Sequence, residues 1–284
     1  MHYNGAGFVG WQRQPQGRTV QAEVEAVLER LTGQKTTATG AGRTDSGVHA
    51  LGQGVGFTLT ERWTSSLEGV QRALNALLPR DIWVERLHAM QPGFHARRSA
   101  TARRYRYVIG TDEASHSPFR RPYEWALGSG RALDVAALGQ AAAALQGEHE
   151  FRGLARAAGG ERRGGGGVRG GGGGERKHPD GSGGEDEWDA KPDYRCRVAL
   201  AEWAPRADGA GVTFTIEADR FLHRMVRFLV GAMVDIALGR RPPSDFPRLL
   251  AAGDNQAASP PAPPQGLYLV AVRYPPDLYA GAES

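Results

Sequence analysis

A glycine-rich segment divides this chain and limits how much of it can pack into one core. Between residues 159 and 184, 14 of 26 residues are Gly. Such a stretch buries too little apolar surface to offset the entropy lost on ordering, so a flexible insert is predicted at about 157–191. An RGG-like RNA-binding tail is the alternative, because Arg163-Gly164-Gly165 and Arg169-Gly170-Gly171 occur here. Residues 159–189 hold five basic and seven acidic residues, and this net charge of −2 favours an inert insert.

Outside the insert the chain is basic. The whole sequence has 35 Lys+Arg and 31 Asp+Glu, a formal net charge of +4, so the part outside residues 159–189 has 30 basic and 24 acidic residues, a net of +6. Three of the basic residues are Lys and 32 are Arg, which makes planar bidentate contacts with phosphate and stacks on bases. The composition favours a nucleic-acid partner, although a GC-rich genome produces the same bias.

Several classes of protein are disfavoured. The apolar runs fall short of the roughly 20 residues that span a bilayer, and the first residues do not resemble a secretory signal. The single cysteine, Cys196, excludes an internal disulfide framework and a multi-cysteine metal site, so a cytoplasmic setting is expected. The run Glu148-His149-Glu150 lacks regular metal-ligand spacing and is predicted to be solvated.

Hydrophobic periodicity predicts alternating helices and strands in both halves of the chain. Helices are predicted after the N-caps Thr19 and Asp134, ending near Leu31 and Leu145, and from Ser66 to Leu78 and Asp219 to Leu238. Strands are predicted at Val55–Leu59, Ile82–Leu87, Arg103–Ile109, Cys196–Trp203, Val212–Ile216 and Leu267–Tyr274. This content predicts an α+β protein whose sheets are covered on one side, with a boundary between halves near residues 112–122.

The residues Gly5-Ala6-Gly7-Phe8-Val9-Gly10 match the GxGxxG pattern of dinucleotide-binding proteins. That motif requires a preceding strand and a helix whose N-terminus receives the pyrophosphate. Four residues precede the motif here, and Trp11-Gln12-Arg13-Gln14-Pro15 does not resemble a helix start. The pattern is therefore weak evidence for a nucleotide cofactor.

The segment Gly40–Ala50 is a candidate catalytic loop. Three glycines surround Arg43 and Asp45 between two strand-like stretches, and glycine lets the backbone turn sharply and approach a large substrate. A neighbouring guanidinium favours the ionised form of a carboxylate. The same residues also fit a polar turn in which Asp45 forms an Asx-turn and Arg43 is solvated.

The run Gly42-Arg43-Thr44-Asp45-Ser46-Gly47-Val48-His49-Ala50 resembles the catalytic signature of the bacterial tRNA pseudouridine synthase A (TruA) family. Five other blocks resemble that family in the same order along the chain: Gly10–Gln14, Phe94–Arg97, Thr101–Tyr107, Phe221–Gly231 and Gly266–Val272. The resemblance covers nearly the whole chain outside the glycine-rich insert.

The resemblance implies the pseudouridine synthase fold, in which two RRM-like halves with mostly antiparallel sheets, flanked by helices, surround a central cleft. Residues 1–115 would carry the catalytic loop, residues 116–276 would form the C-terminal half, and residues 277–284 would be a tail. The implied activity is isomerisation of uridine to pseudouridine at positions 38, 39 and 40 of the tRNA anticodon stem-loop. The family acts as a homodimer, without a metal ion or organic cofactor.

Five site residues follow from the resemblance. Asp45 aligns with the aspartate that starts cleavage of the glycosidic bond. Tyr105 aligns with the tyrosine that stacks on the target base. Arg43 and Arg227 align with the arginines that flank the aspartate, and Arg97 belongs to the predicted substrate-binding set.

The residues themselves leave other roles open. Tyr105 also fits a core or cross-strand aromatic pair with Tyr107. Arg220, Arg224 and Arg227 lie opposite the apolar stripe of the last predicted helix, as in a solvated face. Arg227 therefore reaches Asp45 only if that helix packs on one side and lines the site on the other.

The start of the chain departs from the family pattern. Family members have a strand before the turn that Tyr3-Asn4-Gly5 resembles, and two residues precede it here. Either the natural start lies upstream or a strand of the catalytic sheet is missing. An N-terminally extended protein is expected to be more soluble. A chain that lacks the strand is expected to bind tRNA without modifying it.

Overall fold

The computed structural model describes residues 1–60, 63, 66–130, 132–156 and 193–280. The predicted glycine-rich insert lies outside these ranges. Within them, no helix is both long and apolar enough to cross a bilayer.

The described helices largely match the predicted ones. They are α1 (Val20–Thr32), α2 (Leu67–Leu77), α3 (Val135–Ala143), α4 (Met225–Ala237) and α5 (Asp245–Leu250). The two predicted N-caps, Thr19 and Asp134, are confirmed, because each side chain accepts a hydrogen bond from the backbone N–H three residues later, and Ser66 caps α2 in the same way. α1 packs against α2, and α3 packs against α4.

The described strands form one large sheet and one small one. The strands are β1 (His2–Tyr3), β2 (Thr39–Gly40), β3 (His49–Ala50), β4 (Val55–Gly56), β5 (Ile82–Trp83), β6 (Ala102–Gly110), β7 (Trp125–Ala126), β8 (Gly147–Glu150), β9 (Arg195–Pro205), β10 (Gly211–Ala218) and β11 (Leu267–Arg273). The nine-stranded sheet has the order β5-β1-β3-β11-β6-β10-β9-β8, with β7 paired to β6, and β2 pairs with β4. The pairs β3–β11 and β6–β7 are parallel and the others are antiparallel. The predicted α+β class with a mostly antiparallel sheet is confirmed.

The C-terminal strand β11 lies in the middle of the large sheet. It lies between β3 and β6, with Tyr268 beside His49 and Leu269 beside both Ala50 and Tyr105. This arrangement places the end of the candidate loop, at β3, one strand away from Tyr105 on β6.

The two faces of the central sheet differ in chemistry. On β6, Tyr105, Tyr107 and Ile109 are buried in the core. Arg104 points to the other face, where its Nε donates to Glu217 at 2.7 Å. The alternation therefore gives one apolar face, which packs into the core, and one polar face with ion pairs.

The sequence pattern overestimates one strand. The strand predicted at Ile82–Leu87 ends at Trp83, because side chains of α2 bind the backbone that follows. Asn75 accepts from the Val84 N–H and donates to the Val84 carbonyl, each at 2.8 Å. Gln71 donates to the Val84 carbonyl at 3.1 Å. These bonds replace the strand pairing that the hydrophobic alternation predicts.

The helix predicted to start at Asp219 also differs from the prediction. It begins at Met225, because Arg224 adopts a left-handed conformation with φ of 59° that a continuous right-handed helix cannot include. Arg220 and Arg224 are therefore outside the helix, and only Arg227 of the three arginines is in it. α4 is buried along most of its length, so the alternative of a solvated face does not hold for Arg227, whereas Arg220 is exposed.

The strand expected before Tyr3-Asn4-Gly5 exists in short form. His2 and Tyr3 form β1, which pairs with both β3 and β5. The Met1 amino group donates to the Gln53 carbonyl at 3.0 Å, and the Gln53 N–H donates to the Met1 carbonyl at 3.0 Å. The edge of the sheet next to the candidate loop is thus hydrogen-bonded up to the first residue.

Candidate active site

Asp45 lies at the first position of a tight turn. The Val48 N–H donates to the Asp45 carbonyl at 3.1 Å, and Gly47 takes a φ of +79°, a conformation that favours glycine. The Asp45 side chain is 20% exposed, so its carboxylate is open to solvent while its backbone is fixed.

A buried network of hydrogen bonds holds the backbone of this loop. The hydroxyls of Tyr3 and Thr44 share a hydrogen bond of 2.8 Å, and the Gln53 side-chain N–H donates to the Gly42 carbonyl at 2.8 Å and to the Tyr3 hydroxyl at 3.3 Å. Burial raises the pKa of Tyr3 to about 12, against the opposing effect of its bonds to Thr44 and Gln53. Tyr3 is therefore a neutral phenol that holds the residue preceding Asp45.

The glycines of the GxGxxG pattern serve this loop. Gly5–Gly7 form a single 3₁₀ turn that is followed by extended backbone. A Cβ at Gly5 would overlap the Val48 carbonyl oxygen, and a Cβ at Gly10, where φ is +113°, would lie 2.8 Å from the Thr44 carbonyl oxygen. The geometry of a dinucleotide site is absent from this described segment. These two glycines are required because backbone packs against backbone.

The same segment also bonds to the loop directly. The Trp11 N–H donates to the Thr44 carbonyl at 3.1 Å. The Phe8 carbonyl accepts from the Gly47 N–H and from the Ser46 hydroxyl, each at 3.3 Å. Residues on both sides of Asp45 are thus held by the N-terminal segment, which positions the carboxylate before any substrate arrives.

Three basic side chains face the Asp45 carboxylate. Arg227 Nη1 donates to Oδ2 at 2.9 Å, and Arg227 Nε donates to the Ala262 carbonyl at 2.7 Å. His223 Nε2 lies 3.4 Å from Oδ1, and Arg224 Nε lies 3.9 Å from Oδ2. Arg227 is 11% exposed, so it forms the most enclosed of these ion pairs and sets the carboxylate orientation.

His223 remains neutral near pH 7. Burial lowers the pKa of His223 below its ordinary value of 6.5, and nearby Arg224, Arg156 and Arg227 lower it further, while Asp45 opposes the shift. The His223 side chain is half exposed, and its Nε2 lies at Oδ1 of Asp45, whereas Arg227 binds Oδ2.

Tyr105 lies next to the loop with its ring fixed edge-on. Its ring centroid is 4.9 Å from that of Phe221, with the planes at 83°. A Cβ at Gly42 would lie 3.7 Å from the Tyr105 hydroxyl. Burial raises the pKa of Tyr105 above its usual range, and the charge of Asp45 contributes to the shift, which reflects their proximity. The Tyr107 ring instead packs edge-on against Trp125, and its hydroxyl donates to the Pro263 carbonyl.

The other two predicted site residues are exposed. Arg43 lies two residues before Asp45 on the same loop, and its side chain is open to solvent. Arg97 is also exposed, and its backbone N–H donates to His95 Nδ1 at 3.1 Å. The structure therefore brings Asp45, Arg227 and Tyr105 together and leaves the two exposed arginines at the surface of the molecule.

Four residues that form or support the site were not predicted as site residues. Phe221, His223 and Arg224 belong to a block that resembles the family, so a signal was present, but the sequence analysis assigned none of them a role at the site. Tyr3 acts through Thr44, and its sequence neighbourhood indicates only a turn. Their positions depend on the tertiary structure.

Comparison with known proteins agrees with this geometry. The chain matches the family model described as tRNA pseudouridine synthase over residues 1–97 and 187–275. It is 37% identical over 274 residues to tRNA pseudouridine synthase A of Moorella thermoacetica, an alignment that covers 96% of both chains. It is 37% identical to the Geobacillus kaustophilus protein of the same name, covering 96% of this chain and 92% of that one. It is 34% identical to the Myxococcus xanthus protein, covering 96% and 90% respectively. The chain belongs to the tRNA pseudouridine synthase family.

Proposed function

We propose that this protein isomerises uridine to pseudouridine at positions 38, 39 and 40 of the tRNA anticodon stem-loop, with Asp45 as the catalytic residue. The observation that carries the proposal is the Asp45 carboxylate, partly exposed and paired with Arg227 at 2.9 Å, on a loop whose Gly42 lies beside the Tyr105 hydroxyl. The membership of the chain in the family supports the reaction class, and the resemblance of the loop supports the target positions.

The reaction requires a carboxylate that is ionised and oriented. The N1–C1′ glycosidic bond breaks, the uracil ring turns, and a C5–C1′ bond forms. The C5 hydrogen leaves as a proton and N1 gains one, so no oxidant or reductant is consumed. Asp45 starts the bond cleavage, and Arg227 holds Oδ2 so that Oδ1 faces the side on which His223 lies.

The target nucleotide must leave its base stack to reach Asp45. Flipping costs a few kcal/mol, which stacking and phosphate contacts in the site offset. The proposed platform is the Tyr105 ring, which Phe221 fixes edge-on. Arg43 and Arg97 are proposed to bind the RNA around the flipped nucleotide, because both are exposed guanidinium groups.

We also propose a cytoplasmic homodimer that needs no metal ion or organic cofactor, as the family resemblance implies. Residues 1–115 and 116–276 are proposed as its two halves. The state of Cys196 fits a reducing compartment, because this thiol is buried and burial raises its pKa to about 12. Light scattering of the purified protein tests the dimer, and activity after dialysis against EDTA tests the metal requirement.

The deciding experiment measures tritium release from tRNA labelled at C5 of uridine. Wild type and Asp45→Asn are compared at equal tRNA occupancy, established by a binding titration. We expect release by wild type and a fall of at least about 10³-fold in the variant, because an amide cannot replace the carboxylate. Substrates in which U38, U39 or U40 is replaced by C, one at a time, test the target positions.

The outcomes separate the alternatives. A fall in release on replacing each of the three uridines, and its loss in a further substrate with all three replaced, supports the proposed positions, whereas unchanged release would place the target elsewhere. If wild type binds tRNA but releases no tritium, the protein is a binding relative and the proposal is wrong. If Asp45→Asn releases tritium at the wild-type rate, the reaction depends on another residue.

A further inference from the structure

Arg103 lies on the same face of β6 as Tyr105, two residues before it. Its side chain is half-buried, and burial lowers its pKa, although a guanidinium stays charged at neutral pH. Within the described part of the chain, no carboxylate forms an ion pair with it. An enclosed guanidinium of this kind requires other hydrogen-bond acceptors.

The acceptors are four backbone carbonyls. Nη1 donates to the carbonyls of Ala100 at 3.0 Å and Asp219 at 2.7 Å. Nη2 donates to the carbonyls of Ala41 at 3.1 Å and Arg97 at 2.5 Å. Ala41 and Asp219 are distant from Arg103 in sequence, by 62 and 116 positions, whereas Arg97 and Ala100 lie just before β6.

Two of these carbonyls, those of Ala41 and Asp219, belong to the segments that meet at the catalytic group. Ala41 lies at the start of the Asp45 loop, and its own N–H donates to the Gly54 carbonyl at 2.8 Å. Asp219 begins the turn that brings His223 and Arg224 to the carboxylate. The planar guanidinium is thus a direct connection between the two sides of the ion pair, in addition to the ion pair itself.

The Asp219 side chain also fixes this end of the turn. Asp219 Oδ1 accepts from the backbone N–H groups of Arg197 at 2.9 Å and Arg220 at 2.7 Å. The Asp219 carbonyl, which Arg103 binds, is therefore a fixed point from which residues 220–224 extend towards Asp45.

We infer that Arg103 is a positioning residue for the isomerisation, holding the Asp45 loop and the 219–224 turn at the separation that the reaction requires. The inference rests on the proposed function. A lysine cannot replace Arg103, because one ammonium nitrogen cannot donate in the two directions that Nη1 and Nη2 of Arg103 cover. The neighbouring Arg104 provides a matched control, since it points to the opposite face and Arg273 also binds its partner Glu217.

The experiment compares wild type, Arg103→Lys and Arg104→Lys in single-turnover tritium release with the labelled tRNA. Both variants keep the charge and change the same strand. We expect the rate of Arg103→Lys to fall by about tenfold or more, because small displacements of a catalytic group are costly. Its Kd for tRNA should stay within about threefold of wild type, and Arg104→Lys should match wild type in both quantities. Melting temperatures are measured first, and rates are taken well below the lowest of them.

Each outcome decides the inference. A wild-type rate in Arg103→Lys overturns it. A loss of tRNA binding that accounts for the loss of rate also overturns it, since Arg103 would then be a substrate-binding residue. If Arg103→Lys does not fold, Arg103→Gln is tested in the same way, and failure of both to fold would show that the contacts serve the fold as a whole, which overturns the inference. An inactive wild type would instead refute the proposed function.

Discussion

The loop that carries Asp45 and the turn that carries His223 and Arg224 meet at one carboxylate, but they are held in different ways. The loop depends on glycines and on hydrogen bonds from residues 3–11, which are near the start of the chain. The turn depends on a left-handed arginine and on contacts with distant strands. The position of the Asp45 loop can be inferred from short motifs. The conformation of the 219–224 turn cannot, because it opposes the helical pattern of the local sequence.

The left-handed conformation of Arg224 is unfavourable, so contacts with the surrounding structure must stabilise it. Arg224 is the one non-glycine residue with positive φ in the described part of the chain. Such a conformation costs of order 1 kcal/mol and persists only where other contacts determine it. Here the conformation ends the turn just before α4, so that Arg227, in the first turn of the helix, reaches Asp45.

The contact between the two sides can be broken at Arg227. Arg227→Met removes the 2.9 Å partner of Asp45 and leaves the Ala262 carbonyl without its donor. We expect the single-turnover rate to fall about 100-fold, because the carboxylate loses its orientation. Tritium release measures the effect, and Arg240→Met, which alters the separate ion pair with Asp235, is the control. A rate within threefold of wild type would show that Arg227 does not orient the carboxylate.

The loop side can be tested at Gly10. Gly10→Ala places a methyl group 2.8 Å from the Thr44 carbonyl oxygen at a φ of +113°. We expect the free energy of unfolding to fall by about 3 kcal/mol and the rate to fall with it. Urea titration measures the stability.

Gly139→Ala on α3 is the matched control, because an added Cβ there has no neighbour within 4 Å. It should leave stability unchanged or raise it by up to about 1 kcal/mol. Equal effects of the two substitutions would show that the close approach at Gly10 is not needed for the loop.

Two substitutions at Arg224 test the left-handed backbone conformation of the turn. Arg224→Gly and Arg224→Ala both remove the side chain, so they differ only in the cost of the left-handed backbone. We expect the glycine variant to be more stable than the alanine variant by about 1 kcal/mol. Thermal unfolding measures the difference, and a more stable alanine variant would mean that the turn does not keep a φ of 59° in solution.

The smallest expected effect concerns His49, at the end of the loop. Its Nδ1 accepts from the Gly5 N–H at 3.0 Å and its Nε2 donates to the Pro122 carbonyl at 3.1 Å, which requires the neutral ring. Burial lowers the pKa of His49 below 6.5. A lowered pKa means that the unfolded chain binds the proton more readily. The stabilisation is therefore complete above about pH 6.5 and is lost as the pH falls through the folded-state pKa.

His49→Gln tests this dependence. Glutamine offers an acceptor and a donor but does not titrate, so its free energy of unfolding should fall less than that of wild type between about pH 7.5 and about pH 5. Urea titrations at both pH values measure the difference. Identical pH dependence in the two proteins would show that His49 protonation is not linked to folding.

Local patterns predicted much of the fold because local chemistry determines it. Thr19 and Asp134 were identified as N-caps from their residue types, and the alternation of Tyr105 and Arg104 on β6 gave the two faces of the sheet. The pattern failed at Ile82–Leu87, where side chains of α2 take the backbone hydrogen bonds. Alternation describes which face a residue prefers, and it does not describe which partner its backbone finds.

By itself the sequence determined the α+β class, the α1–α3 starts and the loop containing Asp45, because these follow from periodicity, capping and short motifs. Only the tertiary structure decided that β11 lies between β3 and β6, that α4 begins at Met225, and that Arg227 pairs with Asp45. It also decided that Arg103 binds carbonyls from both sides of the site. The physical reason is that these contacts join residues far apart in sequence, 62 positions for Arg103 with Ala41 and 182 positions for Arg227 with Asp45, and no local preference specifies which distant groups will meet.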